Sequence, residues 1–135
     1  MRLGIVASRF NDAISGKVLA SATAEAKKLG VEHEVVSVPG ALEIPSALQW
    51  LAQTGRFDAL VAVGCVIRGE TYHFEVVSNE SARGVMDVAL DFGLPVANGI
   101  LTTEDEAQAE ARAGKGAEAV QVAVEMVRLR GKLQE

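Results

Sequence analysis

The run Asp58–Val66 is apolar almost without interruption and shows neither helical nor alternating spacing. A strand of that kind has to be covered on both faces, which is the setting of a central strand in a parallel sheet. The rest of the chain supplies partners for it. Arg2–Ala7 and Pro95–Leu101 are short apolar runs, and Glu32–Val38 is β-branched and alternating, so all three read as strands. Between strands one and two, Ile14, Val18, Ala22, Ala26 and Leu29 recur at helical spacing. Asn11 and Asp12 are placed to cap that helix and Gly30 to stop it. Pro45 suits the first turn of a second helix, running through Leu48, Leu51 and Ala52 to Gly55. A third spans Tyr72–Phe92, burying Val77, Val85, Val88 and Ala89, and ends at Gly93. Thr102–Asp105 precedes a short helix from Glu106 to Ala113, and Gly114-Lys115-Gly116 interrupts it. A last helix then carries Ala117, Val120, Val124 and Val127 to Leu129. Arg128, Arg130 and Lys132 lie at its end, the sign its dipole prefers.

Strands alternating with helices imply right-handed crossovers and a parallel sheet covered on both faces. The expected fold class is α/β. It is a three-layer α/β/α sandwich with a four-stranded parallel sheet in flavodoxin-like order, its first strand inside the sheet. A length of 135 residues fits one domain, 1–135, and no repeat or linker divides it.

Composition narrows the function classes. Apolar residues make up 49% of the chain but aromatics only 4%, and that surplus points to a face hidden in an oligomer. A net charge of −5 and the lack of a dense Lys/Arg run argue against nucleic acid as a partner. No apolar run reaches transmembrane length and no signal peptide is evident, so no membrane association is expected. Cys65 is the single cysteine and cannot form an internal disulfide, in keeping with a reducing, cytoplasmic setting. Two distant histidines and one cysteine give no metal-ligand spacing, so no metal is expected.

Ligands of open parallel sheets bind outside the carboxyl ends of the strands. The segments leaving those ends are chemically rich: Ser8–Asp12, Pro39–Glu43, Arg68–His73 and Thr102–Glu104. The opposite turns, such as Gly55-Arg56-Phe57 and Gly93-Leu94, are plain. The segment Gly64–Glu75 carries a cation, a glycine turn, a threonine and a histidine between a strand's end and a helix's first turn. A helix start offers free amides and a positive dipole end, suited to an anion such as phosphate. His73, in that first turn, is either a structural hydrogen-bonding residue or a proton carrier, and its place beside an anion site favours the second. Glu43 serves equally as a dipole-complementing residue or as an acceptor for a polyol or amide. Phe10 is a stacking platform for a flat heterocycle or a local plug. Arg112 and Lys115, in an Ala/Glu-rich stretch, have a solvated face as their default. Cys65 lacks a sequence partner and fits buried packing better than nucleophilic use. His33 reads as a solvated side chain in the lead-in to strand two.

Five segments in order resemble the 6,7-dimethyl-8-ribityllumazine synthase family. They are GIVASRFND at Gly4–Asp12, VPGALEIP at Val38–Pro45, GCVIRGETYHFEVVSNESARG at Gly64–Gly84, PVANGILTTEDEAQA at Pro95–Ala109 and KGAEA at Lys115–Ala119. The resemblance implies condensation of 5-amino-6-(D-ribitylamino)uracil with 3,4-dihydroxy-2-butanone 4-phosphate, without cofactor or metal, in riboflavin biosynthesis. By motif position it implies that Phe10 stacks on the pyrimidine. Ala41, Leu42 and Glu43 would line the ribityl side, and Cys65, Val66 and Ile67 would bind the uracil edge. Glu70 and Thr71 would hold the phosphate, aided by Arg112, with His73 as the proton shuttle. Asn98 takes a position often filled by an aromatic in the family, and Lys115 is a further candidate beside the phosphate. The resemblance also implies a homo-oligomer, pentameric or a multiple of that, with Asn98 and Arg112 supplied by a neighbouring copy. Riboflavin synthase is an implied partner. Three departures from the family pattern are expected: an N-terminal strand that would join a neighbour's sheet is not among residues 1–135, Gly30–Ser37 is shorter, and only Ala113-Gly114 separates Arg112 from Lys115.

Overall fold

In a computed structural model describing residues 1–135, strand β3 (Ala59–Ile67) runs through the middle, buried at every residue from Ala59 to Val66. Strands β1 (Arg2–Ser8) and β4 (Val96–Thr103) flank it, and β2 (Glu32–Val38) pairs with β1. All pairings are parallel, in the order β2-β1-β3-β4, which is the expected flavodoxin-like arrangement.

The two-residue period of the strands decides which helix each side chain meets. Leu3, Ile5, Val61, Val63 and Leu101 pack with Ile14 and Val18 of α1 (Asp12–Lys28) and with Val120 and Val124 of α5 (Lys115–Leu133). The alternate residues Val6, Leu60, Ala62 and Ile100 meet Ile44 and Leu48 of α2 (Ile44–Gln53) and Val85 and Val88 of α3 (His73–Phe92). Burying each such Val, Leu or Ile side chain contributes about 1.5–3 kcal/mol, so this double cover, more than helix propensity, holds the sandwich together. Short helix α4 (Glu106–Ala111) begins where Asp105 accepts a hydrogen bond from the Gln108 amide at 2.8 Å.

Four details differ from the sequence reading. Helix α5 starts at Lys115 and takes in Gly116, which had read as an interruption. A Cβ at Gly116 would overlap the Val18 carbonyl oxygen, so the glycine lets α5 lie directly on α1. Strand β4 runs two residues past Leu101, because Thr102 and Thr103 pair with Val66 and Ile67. His33 is a half-buried member of β2 opposite Leu3, not part of a solvated lead-in. Ala89 is only partly covered.

The register lines up the carboxyl ends. Ser8 stands opposite Val38, and Ile67 opposite Thr103, so the four segments singled out above leave along one edge. The chain moves outward from β1 to β2 and then crosses back to β3, which makes the gap above β1 and β3 the topological switch point.

Candidate active site

A cavity of about 490 Å³ opens at that switch point. Each wall comes from a strand's carboxyl end or the segment that follows it. Phe10 and Asn11 arrive from β1, and Ala41, Leu42 and Glu43 form a single 3-10 turn after β2. Cys65, Val66 and Ile67 end β3, and Thr71 and His73 come from the turn into α3. Nine of the sequence-nominated residues therefore share one space: Phe10, Ala41, Leu42, Glu43, Cys65, Val66, Ile67, Thr71 and His73. Phe10 holds its ring out, 70% exposed, as a stacking plate must and a plug would not.

Hydrogen bonds set the shape of the rim. The Arg9 and Phe10 amides donate to the Val38 and Pro39 carbonyls at 2.9 and 3.0 Å, tying the first two walls together. Asn11 had read as a helix cap, yet its side chain caps nothing. It adopts the left-handed conformation (φ 60, ψ 48), and its Nδ2 donates to the Cys65 carbonyl at 3.0 Å. The Cys65 side chain is buried. Burial pushes the thiol pKa up, with Glu106 and Glu110 adding to the effect, so the neutral thiol is a packing group.

The turn before α3 offers amides to an anion. Those of Gly69, Glu70, Thr71 and Tyr72 donate to no backbone carbonyl, and the His73 amide reaches only the Thr71 hydroxyl, at 3.4 Å. Arg68, the cation of this segment, is otherwise engaged. Its guanidinium donates to Glu75 and Glu104 and lies 4.4 Å from the centroid of the Phe74 ring. Those two hydrogen bonds raise its pKa, Glu104 first, and the Arg68 bond holds the Glu75 carboxyl below its ordinary range.

The remaining nominated residues lie outside the cavity. Glu70 faces a shallow groove with Thr71 and Glu75. Asn98 is exposed on β4, with its Oδ1 accepting from the Ile100 amide at 2.9 Å. Arg112 and Lys115 line a separate cleft of about 540 Å³ beside Thr102 and Thr103. The cavity wall thus carries no lysine or arginine of its own chain. Asn11, Pro39, Gly40, Gly69 and Phe74 also line the cavity, inside segments singled out from the sequence but without a role at the site assigned, and Val77 lies beyond them. A usable signal existed for Val77, four residues after His73 and so on the same helical face. No three His, Cys, Asp or Glu side chains gather as ligands for a metal.

The sequence model of 6,7-dimethyl-8-ribityllumazine synthase matches residues 1–131. The chain belongs to that family. It is 59% identical over 131 residues to the 6,7-dimethyl-8-ribityllumazine synthase of Nitrosomonas europaea, covering 94% of this chain and 80% of that protein. It is 56% identical to the protein of the same name from Cupriavidus pinatubonensis, covering 96% and 80%. With the Paraburkholderia phymatum protein of that name it shares 55% identity, covering 100% and 81%. Of the five segments that carry the resemblance, those at Gly4–Asp12, Val38–Pro45 and Gly64–Gly84 supply the cavity's lining, and those at Pro95–Ala109 and Lys115–Ala119 lie outside it.

Proposed function

We propose that this chain condenses 5-amino-6-(D-ribitylamino)uracil with 3,4-dihydroxy-2-butanone 4-phosphate to 6,7-dimethyl-8-ribityllumazine, a step of riboflavin biosynthesis. The observation that carries the reading is one cavity joining an exposed aromatic plate, a carboxylate, unpaired turn amides and an imidazole, in a chain of this family.

Phe10 stacks on the pyrimidine, Glu43 accepts from the ribityl hydroxyls beside Ala41 and Leu42, and the β3 end at Cys65, Val66 and Ile67 borders the uracil edge. The Glu70 and Thr71 amides and the Thr71 hydroxyl receive the phosphate. The 5-amino group attacks the ketone and one water leaves as the imine forms. Proton loss and departure of phosphate follow. The enol left at C3 tautomerises to a ketone, and the ribitylamino nitrogen closes the ring on that new carbonyl, with loss of another water. Each stage moves a proton, the work of His73 at the cavity wall. Amides aimed at the phosphate stabilise it as a leaving group, and holding two substrates together removes much of the entropic barrier.

A dianion needs a cation, and within one chain the cavity wall holds none. We therefore place Arg112, with Asn98 and Lys115 nearby, at the cavity of an adjoining copy in a pentamer or a multiple of it. Apolar side chains exposed on α3 and α5, Met86, Leu90, Val122 and Leu133 among them, supply a face for such contacts. No helix is long and apolar enough to cross a membrane, and the free Cys65 suits a reducing cytoplasm. Riboflavin synthase, as consumer of the lumazine, is the corresponding partner.

Mixing the two substrates with the protein tests this reading. One lumazine, seen by its fluorescence, should form per phosphate released, and His73→Ala should slow turnover by about 100-fold or more. A protein of confirmed oligomeric state that makes no lumazine defeats it.

A further inference from the structure

We propose that Arg68 is a positioning residue that holds the Gly69–Tyr72 amides in an anion-ready arc by bridging Glu75 on α3 to Glu104 at the end of β4. This rests on the function proposed above and assigns a role within the same site.

The arc has little internal support. Its four amides bond to no backbone carbonyl, so nothing within the segment fixes their direction. Orientation has to come from its two ends. At the first end, the Arg68 amide donates to the Thr103 carbonyl at 2.9 Å. At the other, the Glu75 amide closes the first turn of α3 on the Tyr72 carbonyl at 3.1 Å. The Arg68 guanidinium spans the gap, with Nη1 donating to Glu75 and Nε to Glu104. Glu104 is itself held, because its amide donates to Gln108 at 2.8 Å. The guanidinium also lies 4.4 Å from the centroid of Phe74, whose ring lines the cavity. One planar fork thereby joins the arc, the start of α3, the end of β4 and a wall of the cavity.

The same contacts remove Arg68 as a ligand for the anion. One guanidinium between two carboxylates leaves the group with net charge near −1, which repels phosphate. Its value to the site is preorganisation: amides fixed before the anion arrives need not be ordered at the moment of binding. A lysine has no planar fork with which to hold both carboxylates in this geometry.

The two roles predict opposite responses to Glu104→Gln, a surface change that keeps the Arg68 charge and loosens its tether. A positioning role predicts that KM for the phosphorylated substrate and the inhibition constant of inorganic phosphate both rise, by about three- to tenfold. KM for the ribityl substrate should move less than about twofold. Arg68→Met should do the same, Arg68→Lys should fall between Met and parent, and Arg68→Met with Glu104→Gln should be no worse than Arg68→Met alone. Tighter phosphate inhibition in Glu104→Gln, unchanged constants, or additive losses in the double variant would overturn the proposal. Calorimetric titration of each variant with inorganic phosphate reads the same effect without turnover, so a parent that makes no lumazine defeats the function and still leaves this test decisive.

Discussion

The side-chain amide of Asn11 donates to the carbonyl of Cys65 at 3.0 Å, strapping the turn after β1 to the end of β3 across 54 residues of chain. Asn11 sits in the left-handed region at φ 60, where the chain turns immediately after presenting the Phe10 ring.

Two replacements separate the strap from the backbone requirement. Asn11→Gly keeps the left-handed turn and loses the hydrogen bond, and should lower stability by about 0.5–1.5 kcal/mol. Asn11→Ala loses the bond and also strains φ, adding about 1 kcal/mol. Urea denaturation of both variants measures this. Equal midpoints for Ala and Gly would show that the backbone geometry at Asn11 is unstrained.

Acid should reveal the Arg68 bridge. The Glu75 carboxyl titrates below its ordinary range because Arg68 donates to it, with its own backbone amide helping. A carboxylate whose folded pKa lies below the unfolded one stabilises the fold at pH above the unfolded value, about 4.3. That stabilisation disappears as pH falls through the depressed folded value. Parent protein should therefore exceed Glu75→Gln in thermal midpoint at pH 7 and match it at low pH. Because the pair is exposed, 1 M salt should shrink the difference. A gap that persists unchanged in acid would contradict the bridge.

Gly116 offers a test of the α1–α5 contact. An added Cβ has no space against the Val18 carbonyl, so Gly116→Ala should cost about 1–3 kcal/mol. Gly114 has nothing within 4 Å of such a Cβ, and Gly114→Ala should be near neutral. Equal denaturation midpoints for the two would refute the close approach.

Which parts of this could be read from the chain follows from what periodicity encodes. The unbroken apolar run at β3 and the four-residue spacing of Ile14, Val18 and Ala22 carried the sandwich, because burial imposes those patterns directly. Phe10, Glu43, Thr71 and His73 were legible because each follows a strand's carboxyl end, whereas Ala41, Leu42, Cys65, Val66 and Ile67 came from the family resemblance. Gly116 was misread since a glycine chosen for helix contact looks identical to one that ends a helix. Asn11 holds the N-cap position of α1 as read, but its side chain's partner, Cys65, was not legible because it lies far along the chain. The Arg68–Glu104 bond, spanning 36 residues, left no local trace at all.

The chemistry proposed here depends on a cation that one chain leaves outside its own cavity, and subunit complementation tests that most directly. His73→Ala and Arg112→Ala each remove one half of every site. Co-refolding them at equal amounts in a ring would rebuild intact sites wherever a chain retaining His73 adjoins one retaining Arg112, about one quarter of the boundaries. We predict lumazine formation at about a quarter of the parent rate, well above either variant alone. A mixture no more active than the mean of the two variants would place both side chains in a single chain's site and contradict the account.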